Sequence, residues 1–441
     1  MPPSLPTELW QLIFKAAHSR TARYLQHNDL QAYNVEIILG LVCRFWRRVV
    51  LDTPDLWTVI ALSPATSDLC LMKTYILRSA PLKISLRLDF GPEETDFTTI
   101  GNVYRTMVGR IYQLSITHPS QKYASVFLSQ ISGLSHPSLE TIVTRSDHLT
   151  YDPQYRVIFH TAPCLTEIHM DSGPLDFLSP HTLTSLRRVF IRLQCPRLWD
   201  INRPNTFHRA FDGSSLEYLE LGPTCFKFWD RSNCTNLPNL KTLVIPRMAP
   251  DLLFLFFEAI RAPDLQTVAL SSSQFLLPEP WHPNIPVDTL HWAYQQFYEQ
   301  VNFQVPDPFK NVFSKVRDLG FIGTPRDIPT LHAVLRHLST IFPDLVSLHT
   351  DISVSSLYFT FATSDKLLWP DLRYIFFQQA IHTSASSAHA FALQESRARE
   401  GHPMIHIIPA TAKRHTVNNS LQARANQDLR LDWWEAASVS G

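Results

Sequence analysis

The chain has 441 residues, of which 45% are hydrophobic and 11% aromatic, so it can bury a large core and is not broadly disordered. Basic and acidic residues number 39 each, a balance that gives no global field to attract nucleic acid or an anionic membrane. Glycine is scarce, at 12 residues, and the sequence contains neither a Gly-x-Gly-x-x-Gly run nor a Walker-type loop, which excludes the nucleotide-binding classes built on such loops.

The six cysteines are dispersed and form no Cys-x-x-Cys pair, a pattern typical of reduced, buried thiols rather than of a disulfide or zinc framework. The first residues are amphipathic and include Glu8, unlike a signal peptide, and the longest apolar run, residues 252–257, is too short to cross a bilayer. We therefore expect an intracellular protein, cytoplasmic and/or nuclear, with neither a membrane nor a nucleic acid as its partner.

Two amphipathic helices are predicted within the first sixty residues. Pro6 suits a first helical position, and Glu8 lies in the first turn, where the helix dipole favours an anion. Helical spacing relates Leu9, Leu12 and Ile13, and a second stripe consists of Ile38, Leu41, Val42, Phe45, Trp46 and Val49. Two short helices cannot bury this much apolar surface against each other, so we expect part of it to face a partner.

The residues of this region also carry a family resemblance. Residues 5–14 read Leu-Pro-x-Glu-Leu-Trp-x-x-Ile-Phe, residues 42–47 read Val-Cys-Arg-x-Trp-Arg, and residues 53–57 read Thr-Pro-x-Leu-Trp. Together, over about residues 4–60, they resemble the F-box common in fungal proteins, although the polar spacer at residues 15–34 is longer than the usual link. The alternative is an N-terminal helical lid that only caps the following domain.

The resemblance implies a helical module that docks on a Skp-type adaptor and, through it, on a cullin–RING ubiquitin ligase. The adaptor-binding residues that it implies are Leu5, Pro6, Glu8, Leu9, Ile13, Phe14, Leu41, Val42, Cys43 and Trp46.

A repeated motif runs through most of the remaining chain. Pro137-Ser-Leu-Glu-Thr-Ile recurs, with variations, at Pro163, Pro238, Pro263, Pro343 and Pro370, and copies without the proline start at Leu186, Leu216, Val287 and Val316. From Leu139 to Leu372 the copies are 21 to 30 residues apart, close to the period of about 20–29 residues of leucine-rich repeats. Weaker copies lie near residues 84–88 and 111–116.

Each copy predicts a strand, because its last two apolar positions are two residues apart and share one face. Helical spacing between the copies, as at residues 331–341, predicts a helix there. The proline is expected to stop the preceding helix. Such units must stack side by side to bury their apolar faces. A Rossmann-type sheet is disfavoured because the period is regular and the glycine turns are absent.

The predicted fold is therefore α/β, with an N-terminal F-box-like helical module at residues 1–60 and an irregular leucine-rich-repeat solenoid of strand-plus-helix repeats at residues 61–408. This arrangement resembles the degenerate repeats that follow F-boxes in many fungal proteins. Residues 409–441 are expected to form a polar, partly disordered tail. Its Trp433 and Trp434 either dock on the last repeat or form a short motif for a partner.

The sequence offers little for catalysis or metal binding. His332 and His337 are five residues apart, which is not the i, i+4 spacing of a His-Glu-x-x-His site. His402 and His406 flank a possible final strand without a nearby acid or thiol. We expect no cofactor, no metal and no enzymatic activity. The sequence alone leaves open a Ser/His/Asp triad whose members are distant in the chain and meet only in the fold.

The outward positions of the repeat strands are the better candidates for binding a target protein, because stacked strands form the concave surface that solenoids use. These positions are Glu167, His169, Arg188, Phe190, Arg192, Tyr218, Glu220, His291, His349, Tyr374 and Phe376. Arg187, Arg188 and Arg192 form a basic group that could meet an acidic or phosphorylated segment.

The predicted function is that of a non-catalytic substrate-recognition subunit, which links an unknown target protein to a Skp–cullin–F-box ubiquitin ligase. The alternative is a leucine-rich-repeat scaffold that binds a partner protein and has no link to a ligase.

Overall fold

The computed structural model of the chain describes residues 5–27, 35–62, 69–90, 97–118, 127, 129–146, 159, 161–170, 180–191, 211–222, 234–246, 256–271, 313–322, 328–350, 352–362, 368–377 and 384–409. The chain divides into two compact units. The first contains Met1–Ile245 and Asp251–Asp264, and the second contains Pro246–Pro250 and Leu265–Gly441.

The first unit begins with three helices that pack on one another, α1 (Thr7–His27), α2 (Val35–Val42) and α3 (Arg44–Leu51). A short 3-10 helix (Pro54–Trp57) follows. The Pro6 carbonyl accepts hydrogen bonds from Leu9 N at 3.0 Å and Trp10 N at 3.3 Å, so α1 starts where Pro6 and Glu8 predict a helix.

Two features of these helices differ from the prediction. α1 continues to His27, so the expected spacer is helical from Lys15 to His27, and its remaining residues lie outside the described part of the chain. The second predicted helix is broken at Cys43, whose backbone is extended and whose Sγ accepts a hydrogen bond from Trp46 N at 3.4 Å. This thiol pairs one of the N–H groups that a helix start leaves unsatisfied, which stabilises the break. The second apolar stripe therefore lies on two helices.

The other helices of the first unit are α4 (Leu69–Arg78), α5 (Phe97–Met107) and α6 (Pro180–Ser185), with a 3-10 turn at Val108–Arg110. Its strands are β1 (Val59–Leu62), β2 (Ile84–Asp89), β3 (Ile111–His118), β4 (Thr141–Ser146), β5 (Glu167–Met170), β6 (Arg188–Ile191), β7 (Tyr218–Leu221), β8 (Thr235–Asn236), β9 (Thr242–Pro246) and β10 (Ile260–Arg261). Strands β1 to β7 and then β9 pair in chain order, each parallel to the next, while β8 pairs with β10.

The second unit contains five strands, β11 (Thr267–Ser271), β12 (Asp318–Ile322), β13 (Ser347–Thr350), β14 (Tyr374–Phe377) and β15 (His406–Pro409). They also pair in chain order and in parallel. The helices described here are α7 (Ile328–Ile341), α8 (Val354–Ala362) and α9 (Ser384–Arg399), and α8 packs against α9.

The α/β class with parallel strands is confirmed, and so is the position of the strands. In every described copy of the motif from residue 139 onward, the strand begins two residues after the start that the sequence predicts, as at Leu139 and Thr141. The weaker copies correspond to β2 and β3. The copy at Val287 lies outside the described residues. Strand β1 was not predicted, because it has only four residues and does not follow the spacing of leucines in the motif.

Six of the described strands, β4, β5, β6, β9, β12 and β14, are preceded by a hydrogen-bonded turn that ends on the first apolar residue of the motif. Leu139 N donates to His136 O at 3.3 Å, and Pro137 occupies the second turn position. The same hydrogen bond closes the turns at Leu165, Leu186, Leu240, Val316 and Leu372. A proline suits that second position because its φ is fixed near about −65°. The motif proline therefore has a more direct role than stopping a helix.

A second hydrogen-bond pattern joins successive repeats. Glu140 O accepts from both Thr166 N, at 3.0 Å, and Glu167 N, at 3.1 Å, one repeat later. The carbonyl groups that accept two N–H groups in the same way belong to Thr166, Arg187, Glu217, Gln266, Arg317 and Val346. These shared acceptors fix the register at the start of each strand.

The register places one apolar side chain of each strand beside that of the next. In the first unit Ile168, Val189 and Leu219 are paired neighbours and fully buried, and in the second unit the row is Val268, Leu319, Leu348 and Ile375. This face of the strands forms the core, so the alternate side chains of β5 and β13 point the other way.

The core of the first unit also contains a histidine. His136 is fully buried, with its ring 5.9 Å from Tyr104 and 4.9 Å from Phe159. Burial lowers the pKa of His136 to about 4, so the ring is neutral in the folded protein near neutral pH.

No helix among the described residues is both long and apolar enough to span a membrane.

His136 predicts how stability depends on pH. The unfolded chain has the higher histidine pKa, about 6.5, so the unfolded state binds a proton first and stability falls as pH decreases from about 6.5 to about 4. Between pH 7 and pH 5 the loss from this residue is about 2 kcal/mol. His136→Leu should remove that part of the slope in urea unfolding curves.

The matched control is Tyr104→Phe, which removes the neighbouring buried hydroxyl and keeps the histidine. It should retain the wild-type slope between pH 7 and pH 5. If His136→Leu and wild type lose stability equally over this range, the histidine is not buried as a neutral ring.

Candidate functional site

An aromatic layer joins the first three helices. Trp46 of α3 lies against both aromatic rings of α1, with centroids 5.1 Å from Trp10 and 5.0 Å from Phe14. Phe45 approaches Trp10 edge-on at 6.5 Å. Phe14 is only 1% exposed, so it belongs to this layer and not to the surface. Such ring pairs stabilise the packing beyond the area that they bury.

Other large apolar side chains of the same helices, together with Leu5 just before α1 and the partly exposed Phe45, remain open to solvent. We call the following set the apolar patch, since each member is between 40% and 71% exposed: Leu5, Leu9, Leu12, Ile13, Ile38, Leu41, Val42 and Phe45. On α1 the patch follows helical spacing, and on α2 and α3 it continues across the break at Cys43. Exposed apolar surface of this extent marks an interaction site more often than a solvated face.

Short local contacts hold the break in place. Arg47 Nε donates to Gly40 O at 3.0 Å across the break, so α2 and α3 keep a fixed angle. Arg47 N also donates to Cys43 O at 3.0 Å and starts α3. As a result, Leu41 and Val42 lie at the end of one helix and Phe45 at the start of the next.

The segment after α3 anchors the helices to the rest of the first unit. Trp57 is buried, and its Nε1 donates to Val50 O at 3.0 Å. The Trp57 ring packs edge-on against Tyr75 of α4, with centroids 4.9 Å apart, and Arg78 lies 5.0 Å above it. The Thr-Pro-x-Leu-Trp motif is therefore structural.

A buried polar pair forms a second anchor. Glu36 of α2 is buried, and its Oε1 accepts a short hydrogen bond from the Tyr75 hydroxyl of α4. Burial raises the pKa of the Glu36 carboxyl, an effect that the hydrogen bond from Tyr75 opposes. Burial also raises the pKa of the Tyr75 hydroxyl. Because each group is the partner of the other, losing one would leave a buried polar atom unsatisfied.

Most of the adaptor-binding residues that the sequence suggests are accessible. Those on the surface are Leu5, Pro6, Glu8, Leu9, Ile13, Leu41, Val42 and Cys43, and Trp46 is half-buried. The prediction that Phe14 binds the adaptor is wrong. This side chain is buried against Trp10 and Trp46 and cannot contact a partner directly. Leu12, Ile38 and Phe45 were missing from the suggested set, although their helical spacing could have identified them.

The outward faces of β5, β6 and β7 form a second candidate surface, which we call the ring ladder (His169, Phe190 and Tyr218). Phe190 stacks on His169 with centroids 4.0 Å apart and planes 6° from parallel. It lies 4.7 Å from Tyr218 on its other side. His169 and Phe190 are paired in the strand register, so the stacking follows from the backbone pairing.

Charged groups border the ring ladder. The Arg188 guanidinium lies 5.7 Å from the Phe190 ring centroid and 5.6 Å from that of Tyr218, within cation–π range. Arg188 Nη1 is also 3.4 Å from Glu167 Oε2, and the other Glu167 oxygen is 2.6 Å from His169 Nε2. Arg188 is therefore held by its own chain, and the expected basic group is partly neutralised here.

Two residues suggested for this surface are less accessible than expected. Phe190 is 8% exposed, because it is stacked between His169 and Tyr218. Glu220 is 4% exposed, and its Oε2 accepts from the Tyr218 hydroxyl at 3.3 Å. The prediction that these two residues contact a target protein is therefore wrong, since buried side chains cannot be primary contacts. Arg192 and His291 lie outside the described residues.

The second unit has a similar arrangement on its last three strands. His349 stacks on Phe376 with centroids 4.3 Å apart and planes 11° from parallel. Tyr374 stacks on His406 of β15 at 5.6 Å. His349, Tyr374 and Phe376 are each partly exposed, as the sequence suggests for outward positions. His406 was not named as a binding residue, although its place beside Tyr374 follows from the register.

Within the described part of the chain, no group of three or more His, Cys, Asp or Glu side chains is arranged to hold a metal ion. Cys43, Cys164 and Cys234 are free thiols.

Comparison with known protein families finds no family model that matches this chain, and comparison with curated proteins finds no match either.

Adjacent residues of α1 provide a test of the layer beneath the apolar patch. Phe14→Ala should lower the free energy of unfolding by about 3–5 kcal/mol, because it removes a buried ring and leaves a cavity. Ile13→Ala, one residue away and 46% exposed, should cost less than about 1 kcal/mol. Hydrogen exchange of the α1–α3 amides would measure both effects. Equal costs would mean that Ile13 belongs to the core.

Proposed function

We propose that this protein is a substrate-recognition subunit of a Skp–cullin–F-box-type ubiquitin ligase, with an F-box-like module at about residues 1–60. The observation that carries the proposal is the apolar patch, which is exposed although the aromatic layer below it is well packed. A helical face that its own chain leaves open, at positions that match the F-box pattern, fits a docking surface for a Skp-type adaptor.

We further propose that the strands belong to a leucine-rich-repeat solenoid at about residues 61–408. The constant offset between motif and strand, the shared carbonyl acceptors and the parallel pairing in chain order support this reading. In such arrays each repeat contacts mainly its neighbours, and the exposed strand face binds partners.

In this proposal the target protein binds the outward strand faces. Around the ring ladder, the accessible groups are His169, Arg188 and Tyr218, and in the second unit they are His349, Tyr374 and Phe376. Aromatic rings and arginine are enriched at the centres of protein interfaces. Since Arg188 already faces Glu167, a target with mixed polar and aromatic groups suits this surface better than a phosphorylated segment.

The mechanism is positioning. The chain performs no covalent step and needs no cofactor in this proposal, and it works inside the cell, in the cytoplasm or the nucleus. Holding the target near the ubiquitin-loaded enzyme raises the effective concentration of the target lysine. The Glu36–Tyr75 hydrogen bond and the Trp57–Tyr75 contact suit this task, because they attach α2 and the 3-10 helix after α3 to α4.

The direct test is binding of the full-length chain to a purified Skp-type adaptor. Leu9→Asp combined with Ile13→Asp places two charges in the apolar patch, where each side chain should contribute about 1.5–3 kcal/mol on burial. We expect at least about a hundredfold weaker binding by isothermal titration calorimetry, with unchanged circular dichroism.

The matched control is Leu77→Asp on α4, because Leu77 is 76% exposed and outside the apolar patch. This variant should bind the adaptor like wild type. Wild-type affinity of the double variant would refute the assigned docking face. A wild-type chain that does not bind the adaptor would instead favour the scaffold without a ligase link.

A further inference from the structure

The last strand of the second unit ends the row of paired strands. β15 pairs with β14 on one side, and His406 N donates to Arg373 O at 2.7 Å there. Along its other side, the described part of the chain contains no paired strand. An open strand edge can pair with another chain, and solenoid ends are therefore usually covered by a cap with a polar outer face.

Apolar side chains are uncovered at this same end. Ile375 of β14 is fully buried, whereas Ile407, its partner in the register, is partly exposed. Met404, just before β15, is 61% exposed, and Phe391 of α9 is 67% exposed. In an interior repeat, the next strand and helix would cover such positions.

α9 and the start of β15 belong to one packed structure. Gln394 of α9 donates from Nε2 to Ile405 O at 2.8 Å. Ile405 and Leu393 are buried. Phe391 lies three residues before Gln394, so the two side chains are neighbours on one side of α9. We call Phe391, Met404, Ile407 and the outer edge of β15, where the described residues provide no paired strand, the terminal face.

The chain itself supplies a segment suited to this face. It continues for 32 residues beyond Pro409, and Trp433 and Trp434 occur near its end. Leu429 precedes Trp433 by four residues and Leu431 precedes Trp434 by three, so apolar groups recur at helical spacing. Asp428, Asp432 and Glu435 alternate with them and would supply the polar outer side that a cap needs.

We propose that residues 429–434 dock on the terminal face and cap the second unit, with Trp433 and Trp434 as the main apolar contacts. The length of the connection allows this, since 24 positions separate Trp433 from Pro409 and a coil of that length spans about 25–30 Å. Two tryptophans can bury about 150–250 Å² each. A tethered segment has an effective concentration in the millimolar range and so competes well with a second copy of the chain.

The experiment uses the full-length protein with Trp433→Ser and Trp434→Ser together. Hydrogen exchange of the β15 and α9 amides is the main measurement, and light scattering gives the oligomeric state. We expect about tenfold faster exchange at Ile407 and Ile408 in the variant, with no change in the first unit. The two tryptophans lie outside the described residues, and circular dichroism would confirm that the variant is folded.

Two further variants complete the design. Val417→Ser lies in the same C-terminal segment but outside residues 429–434, and it should exchange like wild type. Phe391→Ser with Met404→Ser changes the terminal face, and it should accelerate exchange of the residue 429–434 amides by a similar factor.

Unchanged β15 exchange in the tryptophan variant would overturn the proposal. So would protection of β15 that grows with protein concentration in wild type, because a second copy of the chain would then cover the face. Capping of the second unit does not depend on adaptor binding by the first.

Discussion

The pairing of neighbouring strands at their starts is the constraint on which the rest of each unit depends. One carbonyl before a strand accepts two N–H groups from the next repeat, as Glu140 O does from Thr166 and Glu167. This bond pattern sets the register, and the register decides which side chains enter the core. A slip of one residue would move Ile168 to the solvent side and His169 into the core. The turn that ends on the first leucine prevents such a slip.

Much of the strand pattern could be predicted from the sequence, because a strand buried on one face requires apolar residues two apart and its turn requires a leucine at a fixed offset. Prediction was poorer where long-range partners decide the structure. The helical state of residues 15–27 and the break at Cys43 depend on packing and on a single thiol hydrogen bond. The burial of Phe14 depends on Trp46, more than thirty residues later.

The two candidate binding surfaces also differ in how far the sequence predicts them, because one depends on local spacing and the other on long-range pairing. Helical spacing alone identified most of the apolar patch, since one turn of a helix relates its members. The ring ladder required the register, which no single strand reveals. Arg188 illustrates this point. In the sequence it is one of a basic group of three, but in the structure its guanidinium lies near the Phe190 ring of its own strand, the Tyr218 ring of β7 and the Glu167 carboxylate of β5.

The buried Arg397 has a consequence for how the second unit responds to change. Arg397 is 1% exposed, and its guanidinium donates to the carbonyl groups of Leu368, Trp369 and Pro370, just before β14. These acceptors belong to the backbone, so they are the same whichever side chains the turn carries. The turn can therefore change its side chains over evolutionary time without losing this attachment, whereas its length cannot change without moving the carbonyl groups away from the arginine.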